Sequence, residues 1–381
     1  MDNSIVWDIA ATNGCNMDCS YCFAHCKNIE NAEFMSSDAF NKIFNLIKAE
    51  PNSEHLIKLY GGEPLLNENI WNFLNKLEEL ETYNLKCVLI TNGLLIHKYK
   101  DEIKKVYLKL KNQFSVTISI DGCKRVHDTY RVDKSNNGTW DRIIKNIEFL
   151  PDSMYVHMQS VLSPELLKNG EEVLSSICAI IDNSKKRLSW GYLPMNDNTF
   201  DNIEPCDIKN MFDIFKKSFL ERIDYIESGK LSIHQSYRCW NTSQNSQENI
   251  SWCNAGHGYF CVGADGLVYP CIHYYHDKSF PMCNINDIKK TIKEKYTYPK
   301  LCDGLYKKNC TSCDFKMFGD SCWCIGQCVY HNRKAGISKV NKKICIYNWN
   351  FANISKELYE KIPYKFYKYQ KQLQEGKNDI S

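Results

Sequence analysis

The chain has 381 residues, a formal net charge of +3 and twenty cysteines. That length suffices for a full core and two domains, and with so small a charge nothing marks a nucleic-acid or polyanion binder. No apolar run approaches a membrane span and no signal peptide precedes the first strand, so a cytoplasmic protein is expected; there, twenty cysteines point to metal ligation rather than a disulfide framework.

The first strand is predicted over 5–12, and directly after it comes Cys15-Asn-Met-Asp-Cys19-Ser-Tyr-Cys22. Three soft thiols spaced CxxxCxxC suit an iron–sulfur cluster, in which three protein ligands leave one of four irons open. Structural zinc normally takes four protein ligands. The competing reading is three cysteines buried as small hydrophobes. Cys26 is expected not to bind iron, since a fourth ligand would close the site.

A helix is predicted over 36–49, with Ala39, Phe40, Ile43, Phe44 and Ile47 at helical spacing and Ser36 or Ser37 as N-cap. Strands at 56–60, 87–91, 115–120, 155–162 and 188–193 then alternate with helices at 70–80, 96–110, 139–150, 166–181 and 207–227. Six strand–helix alternations predict a parallel α/β sheet, a partial (β/α)6 TIM-like barrel, with its site at the C-terminal ends of the strands. Unusual clusters fall at those ends. Strand two ends in Gly61-Gly62-Glu63-Pro64, where two glycines allow close approach to the backbone and exposed peptide groups can bind a small polar group. Strand three ends in Thr91-Asn92-Gly93. Strand four ends in Ser119-Ile120-Asp121-Gly122, followed by His127, Asp128 and Arg131; a plain surface ion pair between Asp128 and Arg131 is the alternative for the last two.

Residues 228–251 turn polar and mark a domain boundary. Beyond it lie most of the cysteines. Ala264-Asp265-Gly266 signals a hairpin between 259–262 and 267–269, which would gather Cys253, Cys261 and Cys271. Cys310, Cys313, Cys322, Cys324, Cys328 and Cys345 follow. Taken alone, this region also reads as one or two zinc sites. The domains expected are a barrel over 1–230, a cysteine-rich domain over 231–350 and a C-terminal helix or tail over 351–381.

Together these features resemble the radical S-adenosylmethionine (SAM) superfamily, in the branch carrying a SPASM domain. Tyr21 matches the aromatic usual before the third cysteine, and the resemblance covers about 5–350. It implies that Cys15, Cys19 and Cys22 hold a catalytic 4Fe–4S cluster whose open iron binds SAM. It further implies that Gly61, Gly62, Glu63 and Pro64 contact the SAM amino group, that Ser119 and Asp121 line the SAM site, and that Arg131 takes the carboxylate, for which its planar fork is suited. Gln159 or Ser160 would face the ribose, alternation alone leaving open which points inward. Two auxiliary 4Fe–4S clusters are implied, one on Cys253, Cys261, Cys271 and Cys328, the other on Cys310, Cys313, Cys324 and Cys345. The gap from Cys313 to Cys324 exceeds the family spacing and contains Cys322, so either Cys322 or Cys324 completes that array; the Cx3C spacing to Cys328 favours Cys324.

The resembled enzymes of this branch mostly act on peptides or proteins. In sulfatase maturases an Asp follows the hairpin's last cysteine as base, whereas here Ile272 stands there and Asp277 is out of register, leaving His273 or His276 only if the geometry differs. The expectation is therefore a maturase that installs a thioether, carbon–carbon or related bond in a ribosomally made precursor peptide. Sulfatase maturation is the alternative among enzymes, and a metal-binding or electron-transfer scaffold the alternative outside them. The chain begins almost at strand one, so a leader peptide would bind a separate recognition protein or an exposed sheet edge. A flavodoxin- or ferredoxin-type electron donor is implied, with no nucleic acid or membrane partner.

Overall fold

The computed structural model describes residues 4–194, 203–232, 258–276, 278, 281–288 and single positions at 350, 354, 357 and 361. Strands β1 (Ser4–Ala10), β2 (Glu54–Tyr60), β3 (Leu85–Thr91), β4 (Phe114–Ser119), β5 (Tyr155–Leu162) and β6 (Arg187–Pro194) pair in sequence order, all parallel. Between them run α1 (Ser37–Lys48), α2 (Asn69–Lys76), α3 (Lys100–Leu110), α4 (Lys124–Tyr130), α5 (Trp140–Ile147), α6 (Pro164–Lys168) and α7 (Gly170–Asn183), with α8 (Pro205–Leu220) and α9 (Ile223–Glu227) after β6. This is the α/β architecture expected of a partial barrel.

Side chains alternate across each strand. One face, with Ile9, Leu59, Leu89, Ile118 and Met158, joins helix residues such as Phe40, Phe73, Val106, Ile143 and Leu174 in one core. Helix α1 starts as its sequence suggests, the Ser36 hydroxyl accepting from the Ala39 amide at 3.2 Å. The helix expected over 166–181 is instead broken into α6 and α7. At the break, a Cβ on Gly170 would lie 2.8 Å from the Phe215 Cα, so only glycine lets α8 pack this closely. The helix expected over 207–227 likewise ends at Leu220 and resumes as the short α9.

The predicted hairpin forms: β7 (Tyr259–Val262) and β8 (Leu267–Tyr269) are antiparallel, with β9 (Cys283–Asn284) beside β8. It does not stand apart, for β7 pairs in parallel with β1, placing Asp8 opposite Cys261. Among the described residues the sheet therefore has nine strands, in the order β6-β5-β4-β3-β2-β1-β7-β8-β9. On its inner face Ala10, Tyr60, Cys261, Tyr269, Cys271, Tyr274 and Tyr275 form a second apolar cluster, completed by α10 (Ile272–His276). Among the described residues no helix is long and apolar enough to cross a membrane.

Candidate active site

The loop after β1 carries Cys15, Cys19 and Cys22, and backbone bonds fix it on three sides. The Cys15 amide donates to the Lys27 carbonyl within the loop at 3.1 Å. The Gly62 and Glu63 amides donate to the carbonyls of Thr12 and Gly14, at 2.8 and 2.9 Å. The Asp18 and Ser20 amides donate to Val132 and Tyr130, at 2.8 and 3.0 Å. The loop is thus held between the end of β2 and the segment after α4.

This frame changes what the two glycines do. A Cβ on Gly61 would meet the Thr12 carbonyl at 2.2 Å, and one on Gly62 the Gly14 carbonyl at 2.0 Å. The close approach that requires glycine here is made by the chain's own cysteine loop. Gly61 and Gly62 retain their carbonyl oxygens, the polarity an ammonium group needs. Pro64 is buried at the start of a 3-10 turn.

Glu63 is wholly buried and its carboxylate is fully engaged. It accepts from the Leu65 amide, the Thr91 hydroxyl and the Asn92 amide at 3.0, 2.8 and 2.8 Å, tying the end of β2 to that of β3. Burial nonetheless pushes it up to about 7. Asn92 in turn donates to Asn16 at 2.8 Å and points toward the Cys15 sulfur at 3.7 Å, a contact to the loop that the sequence did not reveal.

Asp121 is the hub on the other side. It is fully buried; one oxygen accepts from the Tyr21 hydroxyl and from Arg131 Nε (2.9 Å), the other from the Val161 amide (2.9 Å). Its own amide donates to His127 Nδ1 at 3.1 Å, and His127 Nε2 meets the Thr139 hydroxyl at 2.9 Å. Burial pushes His127 down to about 4, so it stays neutral. Asp128 does not pair with Arg131. It accepts from the Thr139 and Trp140 amides that open α5 and from Lys124. On β5, Ser160 is turned into the core against the Trp190 indole, which leaves Gln159 half-buried on the inner face, in register with Ser119.

The donor set of the loop fits an iron–sulfur cluster. The Cys26 thiol and the Cys26 and Ala24 amides bond to Cys22 and pull it down to about 6, while burial pushes Cys19 up to about 12 against the nearby Arg131. Three soft sulfur donors within eight residues are what such clusters bind, and ligation as thiolates releases their protons. The Cys26 sulfur lies 3.8 Å from that of Cys22. Among the described residues no three His, Cys, Asp or Glu side chains converge on a single-ion position, so the loop is not a preformed mononuclear cage.

Cys261 and Cys271 are both buried at the hairpin, with the Tyr60 hydroxyl 3.0 Å from the Cys261 sulfur. Cys253, Cys310, Cys313, Cys322, Cys324, Cys328 and Cys345, with Asp277, lie outside the described residues. Ile272 opens α10 and packs against the inner apolar cluster, and the His276 ring lies edge-on to Phe23 in the cysteine loop, centroids 5.0 Å apart. A further group went unread in the sequence: Asp8, 3% exposed, accepts from the Tyr259 hydroxyl and lies 3.6 Å from Lys58 Nζ, while its second oxygen has no hydrogen bond. The signal was there, an acid inside the apolar run of β1, where an unpaired charge is costly.

Residues 9–174 match the sequence model of the radical SAM superfamily. The chain is 25% identical over 324 residues to the cysteine-type anaerobic sulfatase-maturating enzyme of Clostridium perfringens, spanning 75% of this chain and 78% of that one. Its fold is similar to that of native anSMEcpe with bound AdoMet (TM-score 0.69, 20% identity, 94% and 99% of the two chains covered). It is also similar to that of Streptococcus suis SuiB bound to precursor peptide SuiA (TM-score 0.61, 16% identity, 90% and 76% covered).

Proposed function

We propose that this chain is a radical SAM enzyme of the SPASM branch that modifies a residue of a ribosomally made precursor peptide, installing a thioether, carbon–carbon or related bond; the superfamily match over residues 9–174 and the likeness to the sulfatase-maturating enzyme and to SuiB support that reading. The 4Fe–4S cluster and SAM, when bound, supply a 5′-deoxyadenosyl radical that abstracts hydrogen. Cys15, Cys19 and Cys22 hold the cluster. The Gly61 and Gly62 carbonyls would accept from the ammonium group of bound SAM, and the Arg131 fork would take its carboxylate. Ser119 and Gln159, neighbours on the inner face, serve the rest of the cofactor. Glu63 and Asp121 act one step back: their oxygens are engaged within the protein, so they hold the groups that touch SAM. Cys261 and Cys271, with the more distant cysteines, would hold the auxiliary clusters, making three in all, and a flavodoxin- or ferredoxin-type protein would deliver the electron.

The observation that carries the choice of product is Ile272. Where a sulfatase maturase has its acid, this chain has an apolar residue packed in a cluster of tyrosines, unable to take a proton. Sulfatase maturation is the second reading, favoured by the Clostridium perfringens relative and by the Asp8 carboxylate on the inner face opposite Cys261. The test incubates reduced, reconstituted enzyme and SAM with a peptide encoded beside its gene and, separately, with a sulfatase-derived Cys peptide. A mass change in the first establishes the leading reading, and formylglycine in the second establishes the alternative. Release of 5′-deoxyadenosine with neither peptide altered refutes both substrate assignments.

A further inference from the structure

Tyr21, between the second and third cysteines of the loop, would serve as well as phenylalanine if the position required only an aromatic ring. Its hydroxyl instead donates to the buried Asp121 carboxylate. The same oxygen of Asp121 accepts from Arg131 Nε, and the guanidinium lies over the Tyr21 ring, its carbon 5.3 Å from the centroid. Arg131 is therefore gripped at Nε and along one face, while its terminal N–H groups carry no hydrogen bond among the described residues; the side chain is only 9% exposed. A second chain of bonds closes on the same groups: the Asp121 amide to His127, His127 to Thr139, and the Thr139 hydroxyl to the Arg131 carbonyl at 2.9 Å.

We infer that the Tyr21 hydroxyl is a positioning group for SAM. By sharing one carboxylate oxygen with Arg131 it sets the guanidinium and the cysteine loop as a unit, so that the arginine fork would meet the carboxylate of SAM bound at the cysteine loop. Three parts of the chain, at 21, 121 and 131, are thereby fixed relative to one another before SAM arrives, and pre-organisation of this kind lowers the cost of binding. This rests on the reading that Arg131 meets the SAM carboxylate.

The experiment uses reconstituted holoenzyme with wild type, Tyr21→Phe, Arg131→Lys and the double variant. Phenylalanine keeps the ring beneath the guanidinium and removes only the hydroxyl. Expected for Tyr21→Phe is a rise of fivefold or more in the KM for SAM, measured by peptide-free 5′-deoxyadenosine release, with kcat within twofold and iron and sulfide unchanged. The SAM-induced change in the electron paramagnetic resonance spectrum of the reduced cluster should half-saturate at a correspondingly higher SAM concentration. In the Arg131→Lys background the hydroxyl should no longer matter, because its effect passes through the arginine. An unchanged KM, a full additional loss in the double variant, or iron lost from Tyr21→Phe alone overturns the inference, the last outcome assigning Tyr21 a structural role only. A wild type that cleaves no SAM overturns the functional reading and the inference together.

Discussion

Replacing Gly62 by alanine separates loop-on-loop packing from every other use of the two glycines. The new methyl carbon would stand 2.0 Å from the Gly14 carbonyl oxygen and 3.1 Å from the Cys15 nitrogen, whereas ordinary contact begins at 3.4 Å. Backbone must move by about 1.4 Å, and the segment that moves is the one that presents the first thiol of the loop. Misplacement of about 1 Å at a reacting centre can cost on the order of 100-fold in rate. Gly62→Ala should therefore lose the SAM-responsive cluster signal in electron paramagnetic resonance and about 100-fold of SAM cleavage, while iron bound elsewhere remains. Gly266→Ala is the control: its φ is +77°, but its methyl would meet nothing within 4 Å, so it should cost about 1–2 kcal/mol of stability and leave the cysteine loop alone. A Gly62→Ala enzyme with a normal cluster spectrum and normal cleavage would refute the packing argument.

Glu63 and Asp8 give two further outcomes. The Glu63 carboxyl rises from 4.5 to about 7 on folding, so the folded state binds the proton more tightly, and its stability relative to Glu63→Gln should fall by about 3 kcal/mol as pH rises from about 4.5 to about 7. Parallel anaerobic urea-unfolding curves for the two proteins across that window would contradict the burial of an ionisable group there. At Asp8, burial raises the carboxyl despite Lys58. Asp8→Asn removes the buried charge and should shift stability by less than about 1 kcal/mol, whereas Tyr259→Phe leaves the carboxylate without a hydrogen bond and should cost about 1–3 kcal/mol, again by urea unfolding.

What could be read in the sequence was local in the chain. The six parallel strands followed from apolar runs, and the cysteine loop from spacing over eight residues. The same holds for the hairpin, whose turn residues sit between its strands. What escaped depends on partners far apart: Tyr259 and Asp8 are 251 positions distant, Tyr21 and Asp121 100, Asn92 and Asn16 76. The family resemblance implies that Glu63 and Asp121 line the cofactor site, because their motifs fall at strand ends. In the folded chain their oxygens already bind amides, hydroxyls and a guanidinium. The break at Gly170 was hidden for the same reason, since the residue that demands glycine there is Phe215, on another helix.

The pairing of β7 with β1 also has a bearing on biosynthesis. Once β1 has left the ribosome it finds β2 within about fifty residues, but its other side stays unpaired until Tyr259–Val262 has been made. At roughly 5–20 residues per second, that interval lasts on the order of 10–50 seconds. Throughout it, β1 presents the amides and carbonyls of an apolar strand next to a loop of reactive thiols, a template for association between nascent chains. Chains truncated before residue 258 would hold that edge open permanently, and aggregation rather than loss of the late cysteines would be their first defect.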